Sequence, residues 1–463
     1  MEAAIILVFV MGYLAITLEH SIKIDKLIPA LVMMAISWAL ISFGIDTFPQ
    51  WFDSANHGLI EGFSSLGHEA KMHIMEETLL HHLGKTAEIL VFLLGAMTIV
   101  EIIDYFDGFA TIKGFIKTKK KSRILWIFSI LAFILSAIID NLTATIVLIS
   151  ILQKIVKDRD VRIWFAGLII IAANAGGAFS PIGDVTTTML WIGDKVSTGH
   201  LFGYLFIPSL ICMVVPSLIA SFLPAFKGNL DVEETEDKPK SRFGATMLYL
   251  GLGAIIFVPI FKVFTHLPPY VGMMLSLGVV AIFAEIYSSS KFSLTEHDSE
   301  ESDAHAHHSP VHYSLSKIEL PSILFFLGIL MAVAALESLG TLFGFATTLK
   351  EGIPMIGTEM DGTQVSDLVV ILLGFGSAVI DNVPLVAASL GMFSEGLDDQ
   401  LWHFIAYSAG TGGSMLIIGS AAGVVAMGME KIDFFWYLKK ISWLALAGFL
   451  AGAAAFLVTR TLF

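Results

Sequence analysis

A single cysteine, Cys212, leaves this chain of 463 residues with neither a disulfide framework nor a thiolate metal site. Charge is scarce as well: 15% of residues are charged and 56% hydrophobic, with a mean hydropathy of +0.79. That balance excludes a soluble globular protein of ordinary composition and places the chain in a bilayer. Strand-length alternation of polarity is missing, which excludes a transmembrane β-barrel. The first apolar run, about Ala3 to Leu18, has no basic residue before it and no cleavage signal followed by a soluble domain, so it reads as a retained span. Nothing suggests nucleic acid. The net charge of −14 comes largely from two loop segments, Asp231 to Asp237 and Glu296 to Asp303. No membrane His pair and no Ser-His or Ser-Lys arrangement suggests an intramembrane enzyme, and no cofactor is implied.

What is present is a series of apolar runs, each long enough to cross about 30 Å of hydrocarbon as a helix. Complete spans are predicted near 3–19, 27–44, 86–105, 162–193, 203–225, 243–262, 269–288, 319–339, 402–426 and 433–457. Two further stretches, 125–152 and 368–393, are too long for one span and too short for two, and each has Asp-Asn in its middle. The first is preceded by Lys113, Lys117, Lys119, Lys120, Lys121 and Arg123 and followed by Lys154, Lys157, Arg159 and Arg162. Both its ends are therefore cytoplasmic, and the segment is a re-entrant hairpin over about 124–153. The second, about 368–393, has acidic flanks and opens from the other side. The same count puts both termini outside, together with a loop from about Ile45 to Lys85 that contains an amphipathic helix over about Ala70 to His82.

The two hairpins share a sequence. Ser136-Ala137-Ile138-Ile139-Asp140-Asn141 recurs as Ser377-Ala378-Val379-Ile380-Asp381-Asn382, 241 residues on. Glu101, Gly108 and Phe109 match Glu337, Gly344 and Phe345, and Ala173 to Gly177 with Gly183 match Ala409 to Gly413 with Gly419, both at a separation of 236. Three matches in one order imply an all-α polytopic membrane protein of two inverted repeats, each of about five transmembrane helices plus one hairpin, with interrupted helices at the midplane. The repeats cover 1–225 and 243–463, joined by a cytoplasmic linker at 226–242. This is the build of secondary transporters, whose site lies between the halves.

Asp140 and Asp381 then fall at the hairpin turns, where a buried carboxylate needs a partner or a pathway. A proton and a monovalent cation compete for such a group, which is a physical basis for exchanging one for the other. The same Asp-Asn pairs are also good helix N-caps. A sodium ion needs several oxygens; Asn141, Thr143, Asn174, Thr186 and Thr187 offer them in the first half, and Ser377, Asn382, Ser408 and Thr411 in the second. The expected sodium site is Asp140, Asn141, Asp381 and Asn382. Gly176, Gly177, Pro181 and Gly183 predict an unwound middle in the helix at 162–193, and Gly410 to Gly419 the equivalent in 402–426. Asp184, without a counterpart in the repeat, is a third titrating candidate. Glu101 and Glu337, near span ends, are left out of the ligand set. His297, His305, His307, His308 and His312 lie in a His- and acid-rich loop at about 288–316, which reads as a cytoplasmic linker.

The segments SAIIDNLTATIVL, NAGGAFSPIGDVTTTMLW and SAVIDNVPL resemble those of the NhaD-type sodium/proton antiporters of the ion transporter superfamily. The resemblance runs from about residue 86 onwards. It implies a multi-pass protein of a bacterial inner membrane, exchange of sodium or lithium for protons, a role in salt and alkaline-pH tolerance, and a homodimer. It points to Asp140, Asn141, Asn174, Asp184, Thr186, Thr187, Ser377, Asp381 and Asn382. Superfamily members that carry dicarboxylates have Ser-Asn-Thr at the hairpin tips. Aspartate takes the serine position here in both halves, which argues for proton exchange over the alternative, sodium-coupled symport of a small organic anion.

Overall fold

The computed structural model describes residues 1–462 except 55–57, 115–117, 231–242, 294–308 and 357–364. Lys117, the acidic and basic linker residues 231–242, and His57, His297, His305, His307 and His308 thus lie outside the described residues.

Without water to satisfy peptide groups, apolar runs of this length close their hydrogen bonds internally as helices. Seventeen of them carry the architecture among the described residues: α1 (Glu2–Thr17), α2 (Leu27–Gly44), α3 (His68–Tyr105), α4 (Lys121–Ile139), α5 (Asn141–Ile155), α6 (Arg159–Ala178), α7 (Val185–Ile192), α8 (Thr198–Ser221), α9 (Gly244–Thr265), α10 (Pro269–Ser293), α11 (Leu320–Ser338), α12 (Thr341–Gly352), α13 (Asp367–Val379), α14 (Asn382–Met392), α15 (Gln400–Gly412), α16 (Ala421–Glu430) and α17 (Ser442–Thr459). Four further short helices connect them, Glu19–Ile22, Ala110–Lys113, Pro310–Lys317 and Phe434–Lys440. A two-stranded antiparallel ribbon pairs Phe52–Asp53 with Gly58–Leu59. Nine helices among the described residues are long and apolar enough to cross a membrane. Exposed apolar side chains such as Phe43 (84%) and Phe264 (81%) line the outer surface of the bundle, as a bilayer-facing protein requires.

One expectation is corrected. The segments at 70–82 and 86–105 are not a loop helix and a separate span: α3 runs unbroken for 38 residues, about 57 Å at the α-helical rise. No proline interrupts residues 68–105, and Lys71 and His82 are buried against the protein rather than solvated, so the helix carries on beyond the apolar stretch.

The two Asp-Asn stretches each fold as a pair of helices broken at the aspartate, α4–α5 and α13–α14, and the two Gly-rich stretches break as α6–α7 and α15–α16. Contacts are duplicated at the separations read from the sequence. α4 packs on α6 as α13 packs on α15, and α5 meets α16 as α14 meets α7. Ser136 Oγ donates to the carbonyl of Ala173 at 2.6 Å, and Ser377 Oγ to that of Ala409 at 2.7 Å. A Cβ on Gly176 would stand 2.1 Å from the Phe133 carbonyl oxygen, and one on Gly412 2.2 Å from that of Gly374. Only glycine lets the two helix backbones approach so closely. α1, α2, α3, α9, α10 and α11 pack together on the other side of the molecule. Within that group α3 and α11 run antiparallel: Thr86 lies against Met331, and Glu101 is close to Lys317 and Glu319.

Candidate functional site

Each break in α6–α7 and α15–α16 ends in a side-chain cap. Asp184 Oδ1 accepts from the Thr186 N–H at 2.9 Å, and Ser420 Oγ from that of Gly423 at 3.3 Å, so the two residues occupy equivalent places in the duplicated pattern. Thr187 and Thr188 fasten the first break by donating to carbonyls of Ser180, Pro181 and Asp184.

The asparagines that follow the breaks at Asp140 and Asp381 converge on Asp184, which is 2% exposed. Asn141 Nδ2 donates to Asp184 Oδ2 at 2.6 Å and to Asn174 Oδ1 at 3.0 Å. From the other half, Asn382 Nδ2 donates to Asp184 Oδ2 at 3.1 Å. Asn174 Nδ2 donates to Ser420 Oγ at 2.9 Å. Five side chains from four broken elements thus form one buried network around a single carboxylate. Three N–H donors offset part of the cost of burying its charge; the remaining cost favours a proton or a cation. The Thr186 side chain also faces Asp184, and one buried hydroxyl of α15, Ser408 Oγ, has no hydrogen-bond partner and is a spare oxygen for an ion.

Asp140 and Asp381 flank this network, each within electrostatic reach of Asp184, but their oxygens face other partners. At Asp140, Oδ1 accepts from the Thr143 N–H and Oδ2 from Thr143 Oγ1, both at 2.8 Å. This is the N-cap reading, and it holds Asp140 at φ +83°, a backbone region that side-chain-bearing residues rarely adopt. Asp381 makes only a long contact with the Val383 N–H, 3.5 Å, and its Oδ2 is paired with Lys26 Nζ at 3.3 Å. Ser377 and Thr411 donate to backbone carbonyls of their own half.

One cavity reaches Thr143, the residue that binds Asp140, and another reaches Asp381 itself. The first, of about 180 Å³, runs between α3 and α5, from Thr143 past Glu101 to Asp104, Asp107, Lys154 and Glu319. A smaller one of about 40 Å³ is lined by Tyr13, Glu19, Lys26, Asp381 and Pro384. Both lie at the same end of the bundle, where α3 finishes and α2 and α11 begin. The opposite end is held by direct contacts among the described residues. There α11 packs directly on α14, with Gly391 against Glu337, and the two halves are tied across by Asp398. Its carboxylate accepts from the Ser197 N–H at 2.6 Å and pairs with His200 at 3.0 Å. Burial alone would push the Asp398 carboxyl up, but His403 and Ser197 outweigh it and hold it well below the usual carboxylate range.

The sequence reading ranked Asp184 third, because it has no acidic counterpart. The geometry supplies the reason: its equivalent, Ser420, belongs to the same network, so one carboxylate serves both halves. Lys26, the base that immediately precedes α2, was missed as a partner of Asp381; Glu337, left out of the ligand set, lies against Gly391 away from the Asp184 network. Among the described residues no three His, Cys, Asp or Glu side chains gather as a metal centre.

A family model described as "Citrate transporter" (CitMHS) matches residues 13–400. Sodium/proton antiporter 2 of Arabidopsis thaliana is 38% identical over 98% of this chain and 99% of its own length. The Na(+)/H(+) antiporter NhaD of Vibrio cholerae is 30% identical over 94% of this chain and 87% of its own. The chain belongs to the NhaD-type antiporter family. Sodium/proton antiporter 1 of Arabidopsis thaliana is 40% identical over the whole of this chain and 73% of its own length, so relatives named as sodium/proton antiporters occur in a plant as well as in bacteria.

Proposed function

We propose that the protein is a secondary active transporter that exchanges sodium or lithium ions for protons by alternating access. The observation that carries this reading is the Asp184 network: a buried carboxylate, held by an asparagine from each hairpin and flanked by Asp140 and Asp381, with no ammonium or guanidinium on Asp184 itself among the described residues. Such a cluster is neutralised by a small cation or by protons, and the two compete. Asp140, Asn141, Asp381 and Asn382 remain the proposed sodium site, now with Asp184 at its centre and Asn174, Thr143, Thr186, Thr187, Ser377, Ser408 and Thr411 supporting it.

Alternating access is supported by the asymmetry between the duplicated contacts. A cavity separates α3 from α5, whereas the equivalent pair, α11 and α14, is in contact at the other end. The antiparallel run of α3 and α11 supports the inverted arrangement of the halves 1–225 and 243–463, and the breaks at Asp140 and Asp381 support re-entrant hairpins. On this reading the cavities mark the side to which the positive-inside rule assigns the cytoplasm. The exposed apolar faces of α9 and α10 are available to lipid or to a second copy in a homodimer. The host membrane is a bacterial inner membrane on the bacterial relatives and a plant one on the others.

The family description favours one other reading, sodium-coupled symport of an organic anion such as citrate. Three aspartates at the site, with no arginine paired to any of them among the described residues, oppose it. Everted vesicles with an imposed pH gradient decide between the two. Proton efflux on adding sodium or lithium, and none on adding potassium or citrate, is the expected result; a proton response to citrate overturns it.

A further inference from the structure

The repeat places Pro384 where the first half has Thr143. Thr143 gives Asp140 both an N–H and an O–H, so both oxygens of that carboxylate are occupied from within its own hairpin. Proline has neither donor. Asp381 therefore has only the Val383 N–H at 3.5 Å from its own helix, and Oδ2 turns outward to a cation. In this structure that cation is Lys26, reaching from the turn before α2, across 355 residues of sequence. Its ammonium stands 3.3 Å from Oδ2 and 4.5 Å from the centroid of the Phe325 ring on α11. The contact joins two groups of helices, since α2 and α11 belong to the α1–α3, α9–α11 group and Asp381 to the hairpin. Tyr13 and Glu19 complete the small cavity around the pair, and Asp184 lies behind it.

We propose that Lys26 is the resident counter-cation of the second hairpin: its ammonium holds the seat at Asp381 when no transported cation is bound, and sodium or lithium binds there by displacing it. Phe325 offers the displaced ammonium a cation–π contact, and Glu19 a carboxylate in the same cavity. Because the lysine sits on one helix group and the aspartate on the other, displacing it also releases a tie between them, which links occupancy to movement. The inference rests on the exchange reading above.

The test is sodium binding to the purified full-length protein, followed by titration calorimetry and by sodium-dependent thermal stabilisation, with potassium as control. Removing a tethered competitor in Lys26→Gln is expected to tighten apparent sodium binding about tenfold, in line with a partly buried ion pair. Pro384→Thr, which restores the donors found at Thr143, is expected to weaken it severalfold. If Lys26→Gln is destabilised because Asp381 is left unpaired, sodium is expected to restore its melting temperature by more than it raises that of the parent. Unchanged sodium affinity in Lys26→Gln, or a destabilised variant indifferent to sodium, overturns the proposal. A parent protein without any sodium response overturns the exchange reading instead.

Discussion

Asp184 accepts hydrogen bonds from both halves of the chain, so its charge is the one the whole network is built to hold. Asp184→Asn keeps the shape but removes the charge and leaves amide N–H groups facing amide N–H groups. A loss of about 1–3 kcal/mol per unsatisfied buried donor is enough to take sodium-driven proton movement in vesicles below about a tenth of the parent rate; full activity in this variant would remove Asp184 from the site. Thr143→Val tests the division of labour at Asp140. It strips one of the two donors from that carboxylate and is expected to lower thermal stability by about 1 kcal/mol while shifting the pH dependence of transport, whereas no change in either would mean that the cap is dispensable.

The breaks in α6–α7 and α15–α16 depend on matched glycines and serines. A Cβ at position 176 or 412 would overlap a carbonyl oxygen of the crossing helix, and backbone cannot yield as a flexible side chain can. Gly176→Ala and Gly412→Ala are therefore expected to cost about 3 kcal/mol or more each, seen as lost folded protein in detergent. Ser136→Ala and Ser377→Ala remove one buried hydrogen bond each and are expected to cost about 1 kcal/mol. The decisive comparison is the pairing. Equal costs within each pair follow from duplicated elements, and a large effect in one half with none in the other would contradict the repeat as a physical unit.

For the molecule as a whole, a cavity separates α3 from α5 while α11 packs on α14, which on the proposed exchange makes the first the open end and the second the closed one. Cys212 is fully buried, so the native chain offers a quiet background for thiol labelling. Ile146→Cys, in the large cavity, is expected to react with a membrane-impermeant reagent from the side of Lys154. Its repeat equivalent, Ala387→Cys, is expected to stay unreactive until the transporter turns over and then to react from the opposite side. Asp398→Ala, which cuts the tie between the Ser197–His200 and Asp398–His403 segments, is expected to expose Ala387→Cys without sodium. Labelling of both positions from one side only would exclude the alternation.

Composition placed the chain in a bilayer, and the repeated Ser-Ala-Ile/Val-Ile-Asp-Asn and Gly-Gly segments marked the helix breaks, because chain-local features decide where a helix can start, stop or approach a neighbour. Positions 140, 141, 174, 184, 381 and 382 stood out as candidates for the same reason, since polar groups in apolar surroundings need partners, and the structure joins 141, 174, 184 and 382 in one network. Sequence could not decide which way those groups face. That Asp184 gathers both asparagines and that Asp381 meets Lys26 follows from side chains brought together across 43 to 355 residues, whereas the Thr143 cap on Asp140 is a local contact three residues long, already open to the sequence as an N-cap. The unbroken length of α3 and the open and closed ends were equally unreadable, since both are set by packing between helices rather than by any segment alone.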